Sequence, residues 1–403
     1  MKKVLFTTAL FLTACAVSAQ ESVVKEAKSA KSDPVKAAQI IEPALVDPST
    51  ANDPETWKLA GDFQKAIYDE ENMKLYLPGG QADTSKLYNS LGLIGKDLCC
   101  IQKTTKIHND GMGIMKEISV KALAKINLGL DVVRRREDGY HEVKMVMQTI
   151  HLFDRLEMKK TAGGITMTTN LSFLPTNENN LVYTAAKLLI DEFQIKDGID
   201  VKLHKHIPVA AGMAGGSTDA AAVLYGMNRM FELGLSKEEL MQRGVKIGAD
   251  VPYCIMRGTA LAEGIGEKLT ALPPMVKCPV LIAKPQISVS TKFVYENLRL
   301  DENTVHPDID RLVEDIRQKN LAAVTADMGN VLETVTIPNY PVIAEIKEHM
   351  MVHGAAGAMM SGSGPTVFGL FDDKEKAVAA YEAMQASGLA KQVYLTSIYN
   401  NMR

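Results

Sequence analysis

The chain lacks most of the features that assign a sequence quickly. It has five cysteines in 403 residues: Cys15, Cys99, Cys100, Cys254 and Cys278. An odd count with one adjacent pair forms neither a disulfide framework nor a zinc-ligand spacing. A reducing compartment suits them better, at least beyond residue 110. The net charge is only −3, so no basic character marks a nucleic-acid partner. The apolar run at 4–12 is too short to span a bilayer. The chain's one tryptophan, Trp57, reads as a packing residue and not as a ligand contact. What remains is globular: 46% hydrophobic and 23% charged residues, long enough for two or three domains.

The two ends of the chain read differently. Met1-Lys2-Lys3, the apolar segment 4–12 and Ala16-Val17-Ser18-Ala19 together form a secretory-signal pattern over 1–20. Leu12-Thr13-Ala14-Cys15 also fits a lipid-attachment site. Residues 21–114 read as a polar, mostly helical extension. Alanine and lysine recur with helical spacing over 25–45, and Pro48 and Pro54 interrupt them. Residues 57–68 read as a helix loosely resembling a tetratricopeptide unit. One such unit cannot bury its own face, so this region is expected to be tetratricopeptide-like or disordered, without chemistry. From residue 117 the composition becomes that of a packed domain, with an apolar strand over 117–133.

The strongest signal is Pro208-Val209-Ala210-Ala211-Gly212-Met213-Ala214-Gly215-Gly216-Ser217-Thr218-Asp219, which runs into Ala220-Ala221-Ala222. A strand at 199–205 precedes it and an alanine-rich helix follows. Small residues let backbone N–H groups approach an anion, and a helix N-terminus adds about half a positive charge. The loop therefore reads as a phosphate cradle. It is not a Walker loop, since Gly216 is followed by Ser217 and Thr218 where that motif needs lysine. Nor does it carry Gly-x-Gly-x-x-Gly.

Four further constellations accompany it. Lys125 and Asn127 stand two apart on a strand and share a face; an inward lysine needs an anion. Asp138-Gly139 marks a turn, and Tyr140-His141 after it supplies an aromatic face and a hydrogen-bonding ring. In Gly248-Ala249-Asp250-Val251-Pro252, the proline is expected to stop a helix begun near Ser236. That puts Asp250 at a helix end where the dipole disfavours it, with Lys125 as the candidate counter-ion. Ser361-Gly362-Ser363-Gly364 reads as a tight loop ahead of a strand over 366–371, suited to a second backbone wall. The histidine pairs His204/His206 and His349/His353 read as surface pairs, and the methionines as core filler.

These motifs, in this order, resemble the GHMP kinases (galactose, homoserine, mevalonate and phosphomevalonate kinases). Gly139-Tyr140-His141 and 248–252 narrow the resemblance to the branch acting in non-mevalonate isoprenoid synthesis on a cytidyl diphosphate substrate. It covers about 116–403. It implies an α+β, two-lobed fold: an ATP-binding lobe at 115–275 resembling the second domain of ribosomal protein S5, and an α/β lobe at 276–403, with a cleft between. It implies ATP, with Mg²⁺ expected alongside, and transfer of a phosphoryl group to an alcohol. By position it implies that Lys125 and Asp250 are the catalytic pair. Asn127, Tyr140, His141 and Tyr295 then contact substrate, with the aromatic rings around the cytosine. Residues 208–218 hold ATP phosphates, and Lys205 and Asn180 contact the adenosine side. Met213-Ala214 replaces the usual Leu-Gly, and Thr218 a serine. The resemblance leaves homodimerisation open and implies no nucleic-acid or stable membrane partner. A cytoplasmic kinase conflicts with the signal pattern at 1–20; translation starting at Met112 or Met115 reconciles them. Two other readings stay open: a GHMP kinase for another small alcohol, and an exported, non-catalytic GHMP-fold binding protein.

Overall fold

The computed structural model describes residues 25–30, 33, 36–37, 39–40, 115–302 and 304–400. The chain divides into two units, Met1–Thr105 and Lys106–Arg403. In the first, residues 25–29 are helical and Ala27 is buried, in keeping with the alanine and lysine spacing. The signal-like segment, the helix at 57–68 and the start at Met112 lie outside the described residues, and Met115 is the first residue described in the second unit. Among those described, no helix is long and apolar enough to cross a membrane.

The second unit is built on two sheets. Strand β1 (Glu117–Arg135) runs antiparallel to β2 (His141–Thr161), joined by a tight turn at Asp138-Gly139. One end of β2 pairs with β4 (Gly198–His204), which takes β3 (Ile165–Thr169) parallel on its other side. The other end of β2 pairs with β5 (Thr259–Gly264), and β5 with β6 (Lys268–Ala271). The second sheet is antiparallel. Its order is β11 (Gln392–Ser397), β7 (Pro279–Lys284), β10 (Val367–Leu370), β9 (Gly357–Met360). The short strand β8 (Gly329–Asn330) pairs parallel with β1 at the edge of the first sheet, and Ile150 of β2 bridges Ile398, just beyond β11.

Helices cover the sheets because their apolar residues fall on one side. Helix α1 (Leu181–Phe193) packs beside α2 (Gly215–Met230), whose alanines let it lie against β1 and β2. Helix α3 (Lys237–Val245) begins at a capping box in which Ser236 and Glu239 satisfy each other's backbone N–H. The six-residue α4 (Val251–Met256) follows. Next come α5 (Thr291–Asn297), α6 (Ile309–Gln318), α7 (Leu321–Asp327) and α8 (Glu333–Asn339), then α9 (Val342–Val352) and α10 (Lys374–Ser387). In α6, Ile309, Leu312, Val313 and Ile316 are buried. Their i, i+3, i+4, i+7 spacing places them on one stripe. They share a core with Ile126 and Leu128 of β1 and with Ile282 and Phe368 of the second sheet. Burying a side chain such as Phe368 contributes about 1.5–3 kcal/mol.

One expectation is reversed here. Pro252 does not stop the helix that begins after Ser236, because α3 has already ended at Val245. Pro252 instead lies in the first turn of α4, where its missing N–H has no partner to lose. Asp250 is the residue that caps that turn. It therefore faces the favourable end of a helix, not the unfavourable one, although six residues carry only a small dipole.

Candidate active site

The pairing of β1 with β2 is irregular on both sides of Lys125 and Asn127. Between Leu123 and Lys125 the extra residues lie in β2, and between Asn127 and Gly129 the extra residue lies in β1. Such irregularities re-aim side chains. Val120, Ala122, Leu130 and Val132 accordingly bury on one core, while Ala124, Ile126 and Leu128 bury on the other. The segment between the two irregularities turns Lys125 and Asn127 together toward the glycine-rich loop. The Lys125 ammonium donates to Asn127 Oδ1 at 2.7 Å and to the Gly212 carbonyl at 3.0 Å. Both side chains are buried, and Asn127 Nδ2 rests on Met145 Sδ at 3.3 Å.

The loop at 208–214 has a conformation its composition does not announce. Ala210, Gly212 and Ala214 have φ of 50°, 72° and 56°, while Ala211 and Met213 between them stay at negative φ. Positive φ at every second residue folds the loop tightly, and its small side chains leave backbone N–H groups open to an anion. Helix α2 then starts at Ala214, which offers no side chain to cap it. The N–H groups of its first turn are left for a ligand or water. Met213 itself is core, and its carbonyl accepts from the Lys125 N–H at 3.3 Å. Thr218 itself is buried.

The second wall is the turn at 361–364. Ser361 Oγ donates to the same Gly212 carbonyl at 3.0 Å. Asn330, from β8, donates both amide protons, to Met360 O at 2.9 Å and Gly362 O at 2.8 Å. Ser363 Oγ and Thr291 Oγ1 lie 2.8 Å apart. One carbonyl thus joins Lys125, the phosphate-type loop and the 361–364 turn. Asp250 Oδ2 stands 3.9 Å from the Lys125 ammonium, and its side chain is 32% exposed. It makes no capping bond, so its oxygens stay available to an incoming hydroxyl.

The aromatic residues gather on the other side of Asp250. The rings of His141 and Tyr295 are 5.1 Å apart and tilted by 38°. They touch, so a base enters between them only if they part. Burial and the Asp250 charge push the Tyr295 phenol up to about 12, which keeps it a donor at neutral pH. Burial and Arg135 hold His141 below its ordinary value. Its ring is therefore neutral at pH 7, with one donor and one acceptor. Tyr140 is 62% exposed at the hairpin tip.

Asn180 and Lys205 both have partners within the protein. Asn180 caps α1: it accepts from Val182 N–H at 3.0 Å and donates to Pro175 O at 2.8 Å. The Lys205 ammonium lies beneath the loop, ion-paired to both Asp154 and Asp219, and its backbone is bound by Asn170. Asp154, Asp219 and Asn330 were given no role by the motif reading. One signal for Asp154 is present, since Asp154, Leu156 and Met158 alternate onto one buried face of β2. The histidine pair His349/His353 stacks at 4.2 Å on the end of α9. Among the described residues, no cluster of three or more His, Cys, Asp or Glu could hold a metal ion.

Comparison with known proteins identifies the family. The family model for the GHMP kinases N terminal domain matches residues 180–258, and that for GHMP kinases C terminal matches 307–390. The 4-diphosphocytidyl-2-C-methyl-D-erythritol kinase of Lachnospira eligens is 58% identical over 286 residues, 71% of this chain and 99% of that protein. The kinase of the same name from Acetivibrio thermocellus is 49% identical, over 68% of this chain and 96% of its own. A crystal structure of 4-(cytidine 5'-diphospho)-2C-methyl-D-erythritol kinase superposes with a TM-score of 0.62 at 30% identity. It covers 70% of this chain and 100% of that one. Homoserine kinase from Cytophaga hutchinsonii shares the fold at 19% identity, with a TM-score of 0.60 over 71% of this chain and 95% of its own.

Proposed function

The chain belongs to the 4-diphosphocytidyl-2-C-methyl-D-erythritol kinases, within the GHMP kinases, and we propose that it transfers the γ-phosphoryl group of ATP to the 2-hydroxyl of that alcohol. This step serves the methylerythritol phosphate route to isoprenoids. The supporting observation is the Gly212 carbonyl, which fastens Lys125 to the anion-holding loop within reach of Asp250.

Each residue then has a task. Residues 208–218 present backbone N–H groups to the β- and γ-phosphates. The Lys125 ammonium, already carrying two hydrogen bonds, offsets charge on the moving phosphoryl group. A hydroxyl is far too weak an acid to be ionised beforehand by a carboxylate. Phosphoryl transfer has a loose transition state that needs little charge on the nucleophile. Asp250 therefore orients the hydroxyl and takes its proton late. Asn127 holds Lys125 and the substrate. His141 and Tyr295 part to admit the cytosine, with Tyr140 over the entrance. Asn180 and Lys205 stand on the adenosine side, where their side chains shape the loop's surroundings. Mg²⁺ would neutralise the triphosphate when bound. Ser217, in the first turn of α2 beside the loop, would hold the ion together with phosphate oxygens and water. We place this chemistry in the cytoplasm, with the catalytic cleft between lobes at 115–275 and 276–403.

The decisive experiment uses Lys125→Ala and Asp250→Asn in the full chain. Turnover falls by two or more orders of magnitude, on the order of a lost electrostatic or acid–base group, while ATP still binds by calorimetry. Near-normal turnover in either variant would remove that residue from the mechanism. A panel of cytidine and uridine diphosphate alcohols separates this reading from a kinase for another small alcohol.

A further inference from the structure

Three charged side chains lie buried under the loop. Asp154 is 0% exposed, Asp219 2% and Lys205 8%. The Lys205 ammonium bridges the two carboxylates, contacting Asp154 closely and Asp219 Oδ2 at 2.8 Å. Asp154 Oδ1 also accepts from the N–H groups of His206 at 2.5 Å and Ile207 at 2.8 Å. These residues enter the loop. Asp219 stands in α2, one turn past the start of the helix that leaves the loop. A methyl group on Gly215 would come within 3.1 Å of the Lys205 ammonium. The cluster therefore clamps both ends of the 208–214 loop to strand β2. Asn170 closes the back, accepting from Lys205 N–H at 2.8 Å and donating to its carbonyl at 3.1 Å.

Charge makes the two carboxyls unequal. One ammonium cannot neutralise two buried carboxylates, and a net negative charge here would repel the anion the loop is shaped to hold. Asp154 has three donors, two of them backbone. Asp219 has one donor, and its Oδ1 has no partner. We propose that Asp154 and Lys205 form the ionised pair that positions the phosphate loop, while Asp219 is the neutral, protonated member of the cluster. This rests on the reading of the loop as the ATP-phosphate site. The strong upward shift of the Asp219 carboxyl, from burial and then from Asp154, agrees. None of the three touches the transferred group, so all are positioning residues.

The test compares Asp154→Asn with Asp219→Asn in the full chain. Asp219→Asn keeps a neutral group of the same shape, so its ATP affinity and turnover stay within about threefold of the parent, less than one hydrogen bond's worth. Asp154→Asn weakens ATP about tenfold or more, the effect of losing a charge-assisted hydrogen bond, while the alcohol's KM is unchanged. Equal losses in the two variants would overturn the assignment, as would unchanged ATP affinity in Asp154→Asn. If Asp154→Asn does not fold, infrared difference spectroscopy of the parent protein decides. A protonated-carboxyl band at pH 7 that Asp219→Asn removes supports the proposal, and its absence refutes it. ATP binding by the parent, competed by inorganic triphosphate, tests the loop reading separately.

Discussion

Replacing Gly212 with alanine tests the joint on which the site depends. Its φ of 72° disfavours any L side chain by about 1–2 kcal/mol. A Cβ there would sit 2.1 Å from the Ser361 carbonyl oxygen. Ordinary contact begins at 3.4 Å, so the two backbones must part by about 1.3 Å. Neither is the end of a flexible side chain that could swing away. Parting them strains the bonds that the Gly212 carbonyl accepts from Lys125 and Ser361, both 3.0 Å. The first is charge-assisted and contributes about 1.5–3 kcal/mol, the second about 1 kcal/mol. Partial relaxation leaves an expected loss of about 3 kcal/mol in stability. A displacement near 1 Å at the reacting groups lowers turnover about 100-fold. Urea unfolding followed by circular dichroism reads the first, and a coupled ADP assay the second. Gly216→Ala is the control. Its Cβ would meet only Leu181 Cδ1, at 3.6 Å, and inside a helix alanine is favoured over glycine by up to about 1 kcal/mol. The reasoning fails if Gly212→Ala unfolds within 1 kcal/mol (about 5-fold in the equilibrium constant) of the parent, or if Gly216→Ala is as damaging.

Three other outcomes follow from the same structure. Ala214→Gly releases a residue held at φ 56° and stabilises the chain by up to about 1 kcal/mol, after the greater chain entropy of glycine is deducted; a lower urea midpoint would contradict this. Cys254 and Cys278 are buried, and burial raises both thiols, Cys278 to about 12; neither reacts with a thiol reagent at pH 8 until the chain unfolds, which mass spectrometry of alkylated peptides checks. Burial, with Lys121 and Lys277 nearby, lowers His151 to about 4. The unfolded chain takes up this proton near pH 6.5 and the folded chain only near 4. Stability contributed by the neutral ring is thus complete above 6.5 and falls between 6.5 and 4, by up to roughly 3 kcal/mol. His151→Phe should flatten that limb of the stability–pH curve, and an unaltered slope would count against the assignment.

Much of this site was legible because its residues obey local rules. Lys125 and Asn127 alternate on a strand, Asp138-Gly139 makes a turn, and 208–222 joins strand to helix. The direction of α4 was not legible. A proline after Asp250 fits a helix stop or a helix start equally well, and only the early end of α3 at Val245 decides between them. Nor were the partners of Lys205, since they lie 51 and 14 residues away. Sequence alternation places Asp154 on a buried face but does not say what meets it there.

The loop's conformation shows why local rules stop short. Two of its three left-handed residues are alanines, Ala210 and Ala214, which intrinsic preference would place at negative φ. Together they hold about 2–4 kcal/mol of unfavourable backbone energy. That conformation persists only if tertiary contacts outweigh it. The structure supplies them at three points. Asp154 fixes the entry at His206 and Ile207, Lys125 and Ser361 fix the middle at Gly212, and Asp219 fixes the exit in α2. These buried polar contacts thus do for the backbone what glycine at all three positions would not. Glycine would permit the concave shape without favouring it, whereas the clamp selects it before any anion arrives. A loop held this way loses little further entropy when phosphates bind. The clamp and the anion site are therefore one design, and weakening Asp154 should cost ATP affinity before it costs the chemistry of Lys125 and Asp250.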